Sequence, residues 1–157
     1  MSMELLIVPK GSKYIVQDKK QRTLYVIKKK GFGGGLYLLL DSSEYQLYSF
    51  AVTGDARKPT FDILHNGALY MKIYCKSMFL DPTIIAENDS MSYSLVSKDR
   101  KEFEMFLGTE HIGHMKTLVT MQGELHYDME VDDKAFDDYI PLFAVAADKA
   151  FGEMNKR

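Results

Sequence analysis

Three consecutive lysines, Lys28, Lys29 and Lys30, run directly into a glycine-rich stretch, GFGGG, that contains Gly33 and Gly34. An ammonium group is a compact point charge, and bare glycine backbone lets an anion approach closely. These five residues are therefore the candidate lipid- or anion-binding site, suited to a phosphate-bearing head group. The plainer account is a solvated strand end followed by a turn. A nucleotide loop is excluded, because no G-K-[ST] follows and G-x-G-x-x-G is absent. His111-Ile112-Gly113-His114 sets two histidines three apart, with Glu110 adjacent and His126 downstream. Zinc needs three or four converging ligands, and residues three apart on a strand face opposite sides. The spacing thus predicts a turn with solvent-facing histidines. Asp128, Glu130, Asp132, Asp133, Asp137 and Asp138 lack calcium-loop spacing, and the last two read as carboxylates at a helix N-terminus. Cys75 shares the phase of apolar neighbours, as an inert buried thiol does. No catalytic residue, metal ligand or cofactor is assigned.

The elements that hold these residues follow from periodicity. About twelve runs alternate apolar and polar residues, near 4–8, 13–18, 23–29, 36–41, 45–52, 59–65, 68–75, 83–87, 91–97, 102–107, 112–119 and 124–131. Leu69, Met71, Ile73 and Cys75 fall on one face, Ala68, Tyr70, Lys72 and Tyr74 on the other. Asn66-Gly67 marks a tight hairpin, since both residues tolerate positive φ. A weak repeat, in which an aromatic residue opens a run, a polar turn follows and a second run returns, begins at Tyr14, Tyr37, Phe61 and Tyr93. So many antiparallel strands must close or pair as two sheets, because open edges invite aggregation. After Asp132 the pattern changes. The spacing predicts one helix over about 137–152, with Pro141 in its first turn and Gly152 as its stop. Its apolar residues point in nearly every direction, and a helix apolar all round but too short to span a bilayer must thread a closed barrel. Ala144, Ala146, Ala147 and Ala150 keep it thin.

The 157 residues, 46% of them apolar and 27% charged, suit one folded domain over 1–157 and exclude disorder, collagen and coiled coil. A single Cys leaves no internal disulfide and fits a reducing cytosol. The N-terminus carries Glu4 and only a four-residue apolar run, so no cleaved targeting peptide is expected, and the longest apolar run, Tyr139 to Ala147, is too short to cross a membrane. Net charge is −2, but residues 1–30 hold eight Lys or Arg against two acids, while residues 124–153 hold nine acids against two lysines. Such asymmetry orients a protein toward an anionic surface, or is simply a solvated face. The mildly acidic balance argues against nucleic acid as a partner.

A meander of about twelve strands closing on an apolar C-terminal helix, with the Tyr14-x-Val16-x-Asp18 opening, the step from Gly108 to Lys116 and the closing Ala147-Asp148, resembles the tubby C-terminal-like fold in its LURP-one-related or scramblase-like branch. The resemblance covers nearly the whole chain and brings no catalytic motif. It implies a β-barrel wrapped around its own helix, and a non-enzymatic binding module at anionic phospholipid or a membrane surface, since tubby proteins are phosphoinositide-binding tethers. The sequence lacks the scramblases' anchoring tail and Cys-rich stretch, and none of its basic residues aligns with the tubby lipid site. A soluble scaffold for a protein partner is the alternative, and a His-based enzyme using His111 and His114 the third. The expected location is cytoplasmic, with peripheral contact at the membrane. The sequence leaves the oligomeric state open.

Overall fold

Alternation at period two dominates this chain, and in the computed structural model, which describes residues 1–31, 35–55 and 57–156, the twelve runs are twelve strands. They are β1 (Ser2–Lys10), β2 (Lys13–Gln17), β3 (Thr23–Lys29), β4 (Leu36–Asp41), β5 (Gln46–Val52) and β6 (Thr60–His65), then β7 (Ala68–Ser77), β8 (Thr83–Glu87), β9 (Ser92–Ser97), β10 (Glu102–Leu107), β11 (Glu110–Val119) and β12 (Leu125–Asp132). One helix, α1 (Pro141–Asn155), follows. Each strand pairs antiparallel with its neighbours in sequence, and β1 closes onto β12 from Ser2 opposite Asp132 to Ile7 opposite Tyr127. Closure removes the free edges that twelve open strands would expose.

Residues of one parity line the inside and wrap α1, whose Leu142, Phe143, Ala144, Val145 and Ala146 have no exposed surface. A helix so placed needs no amphipathic stripe, which is why its apolar residues are spread around the axis. Its limits differ from the expectation over 137–152. Asp137 and Asp138 precede the helix and do not cap it: Ile140 occupies the N-cap position without a side-chain bond, and no acid lies in the first turn. Asp138 instead accepts a hydrogen bond from the Tyr25 hydroxyl at 2.5 Å. Nor does Gly152 stop the helix, which continues to Asn155. A Cβ at position 152 would sit 3.0 Å from Asp148 Oδ1, so glycine there makes room for a side chain one turn back.

Hairpin turns explain the polar interruptions. Asn66 and Gly67 have φ of 53° and 81°, the two left-handed residues of a type I′ turn. At six other corners, Asp18, Asp41, Asp55, Asn88, Asp99 and Asp132 each accept the backbone N–H two residues ahead through a side-chain oxygen. Asp132 is thereby committed to turn building. Register shifts bend the wall at several points, among them Ile63/Leu64 and Met105/Phe106. The first takes Leu69 off the buried face expected for it; Leu69 is 52% exposed while Met71, Ile73 and Cys75 stay buried.

Because the sheet is a meander, successive connections alternate between the two ends of the barrel. Asn155 Nδ2 donates to the carbonyl of Arg100 in the β9–β10 connection, at 2.8 Å, which places the C-terminus of α1 at the end of the odd-to-even connections. Tyr139 donates to Met91 Sδ in the β8–β9 connection, at 3.3 Å, which places the N-terminus of α1 at the other.

Candidate functional site

Lys28, Lys29 and Lys30 lie where β3 runs out at the helix C-terminal end, and the strand's alternation separates them. Lys29 shares the inward phase of Tyr25 and Ile27 and sits opposite Tyr37 of β4. The same Tyr37 ring has Lys149 Nζ of α1 5.0 Å from its centroid, a cation–π contact at the barrel mouth. Lys28 faces outward, opposite Lys13 of β2. Like charges directly opposite across a pair of strands repel, and among the described residues neither lysine has a carboxylate within 4.0 Å. Lys30 leaves the strand and donates its backbone N–H to the Leu36 carbonyl at 2.8 Å. Gly33 and Gly34 lie outside the described residues.

The surrounding connections carry the same sign. Counting each connection with the strand residue on either side, the helix C-terminal end has nine Lys or Arg against five acids. They come from the β1–β2, β3–β4, β5–β6 and β9–β10 connections. At the opposite end the same count, with the segment from Asp132 to the start of α1, gives ten acids against four basic residues. The chain's basic N-terminal segment is therefore divided: Lys19, Lys20 and Arg22 fold to the acidic end, where Arg22 Nε pairs with Asp18 at 2.7 Å and Lys19 pairs with Glu4. The surface charge follows the barrel axis, set by the parity of the connections rather than by position in the sequence.

At the basic mouth a cavity of about 320 Å³ lies between the β1–β2 turn and α1, with Gly11, Ser12, Tyr37, Lys149 and Lys156 in its wall. Its floor holds Asp148, which accepts hydrogen bonds from Tyr14 at 2.6 Å and Tyr127 at 2.5 Å. Burial, with the adjacent Asp148 carboxylate, pushes both phenols far above the ordinary tyrosine value, so both remain donors. This pairing escaped the sequence reading. Its one sequence signal was Asp148, the first charged residue after the apolar run from Pro141 to Ala147.

The remaining candidates resolve as follows. The bulge at Met105/Phe106 sets Phe106 opposite His111 and Met105 opposite Gly113, with Ile112 as the extra residue. His111 and His114 are accordingly on a strand rather than a turn, and both face outward on one side, contrary to the opposite faces expected of a regular strand. His111 Nε2 lies 2.9 Å from Glu104 and His114 Nε2 3.7 Å from Glu130. Gly113 is required there, since a Cβ would come within 2.1 Å of the Glu130 carbonyl. Among the described residues no group of three or more His, Cys, Asp or Glu is arranged to hold a metal ion. Cys75 is buried in the core, and desolvation pushes its thiol up to about 11.

Fold and surface together define a closed antiparallel barrel threaded by its own C-terminal helix, charged oppositely at its two mouths. Comparison with known proteins agrees on the architecture. The chain is similar to the X-ray structure of a protein from Arabidopsis thaliana, AT5G01750, with a TM-score of 0.56 and 13% identity over 98% of this chain and 91% of that one. No protein-family profile and no curated protein matches the sequence.

Proposed function

We propose that the chain is a non-enzymatic binding module of the tubby-like, LURP-one-related or scramblase-like kind, which docks on an anionic phospholipid surface through its basic end. The observation that carries this reading is the division of charge along the barrel axis, with nine basic residues gathered from several connections at one mouth. Lys13 and Lys28, opposite one another on neighbouring strands and without an ion-pair partner among the described residues, add a place where an anion relieves repulsion. No described helix is long and apolar enough to cross a membrane, so the contact envisaged is peripheral.

Each lysine near an anionic bilayer contributes about 1 kcal/mol, and screening removes that gain as the Debye length falls below about 8 Å. Wild-type protein should sediment with phosphatidylserine vesicles at low salt and release at high salt. Changing Lys28, Lys29 and Lys30 together to Gln should remove most of the affinity and leave the thermal transition in place. If wild type ignores such vesicles at low ionic strength, the lipid reading falls and a scaffold for a protein partner takes precedence.

A further inference from the structure

The basic end also holds large apolar side chains in water. In the β7–β8 connection Phe79 is 71% and Leu80 85% exposed; in the β11–β12 connection Met121 is fully exposed, with Val119 half-exposed before it. Neither connection is loosely built. The Ser77 hydroxyl donates to the Leu80 carbonyl, the Thr83 hydroxyl donates to the Asp81 carbonyl at 2.8 Å, and Asp81 takes the left-handed conformation at φ 47°. In the other turn Glu124 N–H donates to Thr120 Oγ1 at 3.1 Å, and Gly123 adopts φ 83°. Both apolar tips are thus held away from the core by local hydrogen bonds, and the first also by a left-handed non-glycine residue, Asp81. Around the barrel the two tips flank the β9–β10 connection, which carries Lys98, Arg100 and Lys101, while Arg57 and Lys58 lie on the far side of Phe79 and Leu80.

We infer, building on the lipid reading above, that the barrel stands end-on at an anionic bilayer and inserts Phe79, Leu80 and Met121 into the head-group layer, with its acidic end turned away. A protein partner would want one continuous apolar patch, whereas these tips sit on two hairpins separated by a charged one. A bilayer interface accepts separate apolar points within a predominantly basic surface, because acyl chains and anionic head groups are mixed there. The acidic end has exposed apolar residues too, Tyr45 and Leu69, but they stand among carboxylates that an anionic bilayer repels.

The chain has no tryptophan, so single substitutions report local insertion in the full-length protein. With phosphatidylserine vesicles, Phe79→Trp should shift its emission to the blue and be quenched by brominated acyl chains. Tyr45→Trp, at the acidic end, should keep its water-exposed emission while bound to the same vesicles. The double change Phe79→Ser with Leu80→Ser should lower vesicle partitioning roughly tenfold at constant salt, as expected for losing apolar burial, without moving the melting temperature. Sedimentation of Phe79→Trp with unchanged emission, or undiminished partitioning of the serine variant, overturns insertion while leaving charge-driven docking intact. If neither tryptophan variant nor wild type sediments, insertion and the lipid reading both fail.

Discussion

At the N-terminal end of α1 the Asp138 carboxylate takes one hydrogen bond, from the Tyr25 hydroxyl, while the Tyr139 and Tyr93 hydroxyls meet at 2.6 Å against the rings of Tyr48 and Tyr70. At the C-terminal end Asp148 takes two, from Tyr14 and Tyr127 on strands β2 and β12. Both mouths are closed by phenols reaching from the wall to the helix segment, yet the surfaces outside them carry opposite charge. The shared interior chemistry satisfies polar groups that a buried helix would otherwise strand. Nothing in that chemistry asks for a basic surface at one end and an acidic one at the other. Stability therefore resides in the phenol–carboxylate plugs and the apolar seam between them, and the difference between the ends lies in the surface charge outside the plugs.

The seam itself is the severest test of that division. Phe143 and Val145 lie inside the barrel with no exposed surface, and Asp at either position buries an unpaired charge in a domain with about 5 to 15 kcal/mol in hand. Either substitution, or truncation before Asp137, should abolish folding. A cooperative thermal transition in any of these variants would show that the wall stands without the helix.

Next in size is a comparison of the two plugs. Asp148→Ala removes the acceptor of two deeply buried phenols and should cost about 2 to 4 kcal/mol, whereas Asp138→Ala frees one less buried phenol and should cost about 1. Equal losses in denaturant unfolding would mean the ends are sealed alike. The same phenols set the alkaline limit. Burial, reinforced by neighbouring carboxylates or phenols, holds Tyr14, Tyr127, Tyr139 and Tyr25 above their ordinary value of 10.0 in the folded state. A group whose folded pKa is raised contributes stability that is complete below its unfolded value and is lost as pH climbs past it. Stability should accordingly fall steeply above about pH 10, as unfolded tyrosines ionise and folded ones do not. A flat profile there would place these hydroxyls in contact with water.

Much of this architecture was legible from alternation alone. β2 through β6, β8 through β10 and β12 fall within a residue of the runs read from the sequence, because one wet and one dry face impose a period that no other element shares. Longer-range features were hidden. The bulge that brings His111 and His114 to the same side depends on the close approach of Gly113 to Glu130, seventeen residues away in sequence. Asp137 and Asp138 look like caps because composition cannot reveal that Tyr25 claims one of them. The candidate site was half visible. The lysine run stands out, but Lys13, Lys149 and the β9–β10 lysines join it only through strand register and the parity of a closed meander, and the same parity carries Lys19, Lys20 and Arg22 away.

The smallest effect expected separates charge from structure at the acidic end. Partial burial, and secondarily the neighbouring Asp138 carboxylate, raises the Asp137 carboxyl above its usual 3.8. Its contribution to stability is therefore complete below the unfolded value and declines as pH rises through the folded one, which leaves a net cost at neutral pH. Asp137→Asn keeps the backbone carbonyl that accepts the Ile140 N–H at 3.1 Å and removes only the charge. The gain at pH 7 should be no more than about 0.5 kcal/mol, since the side chain is exposed and screened, and it should vanish near pH 3, where aspartate is protonated in both states. A loss of stability at pH 7 would instead assign Asp137 a structural contact, and the acidic end would then be held together by its charges rather than merely bearing them.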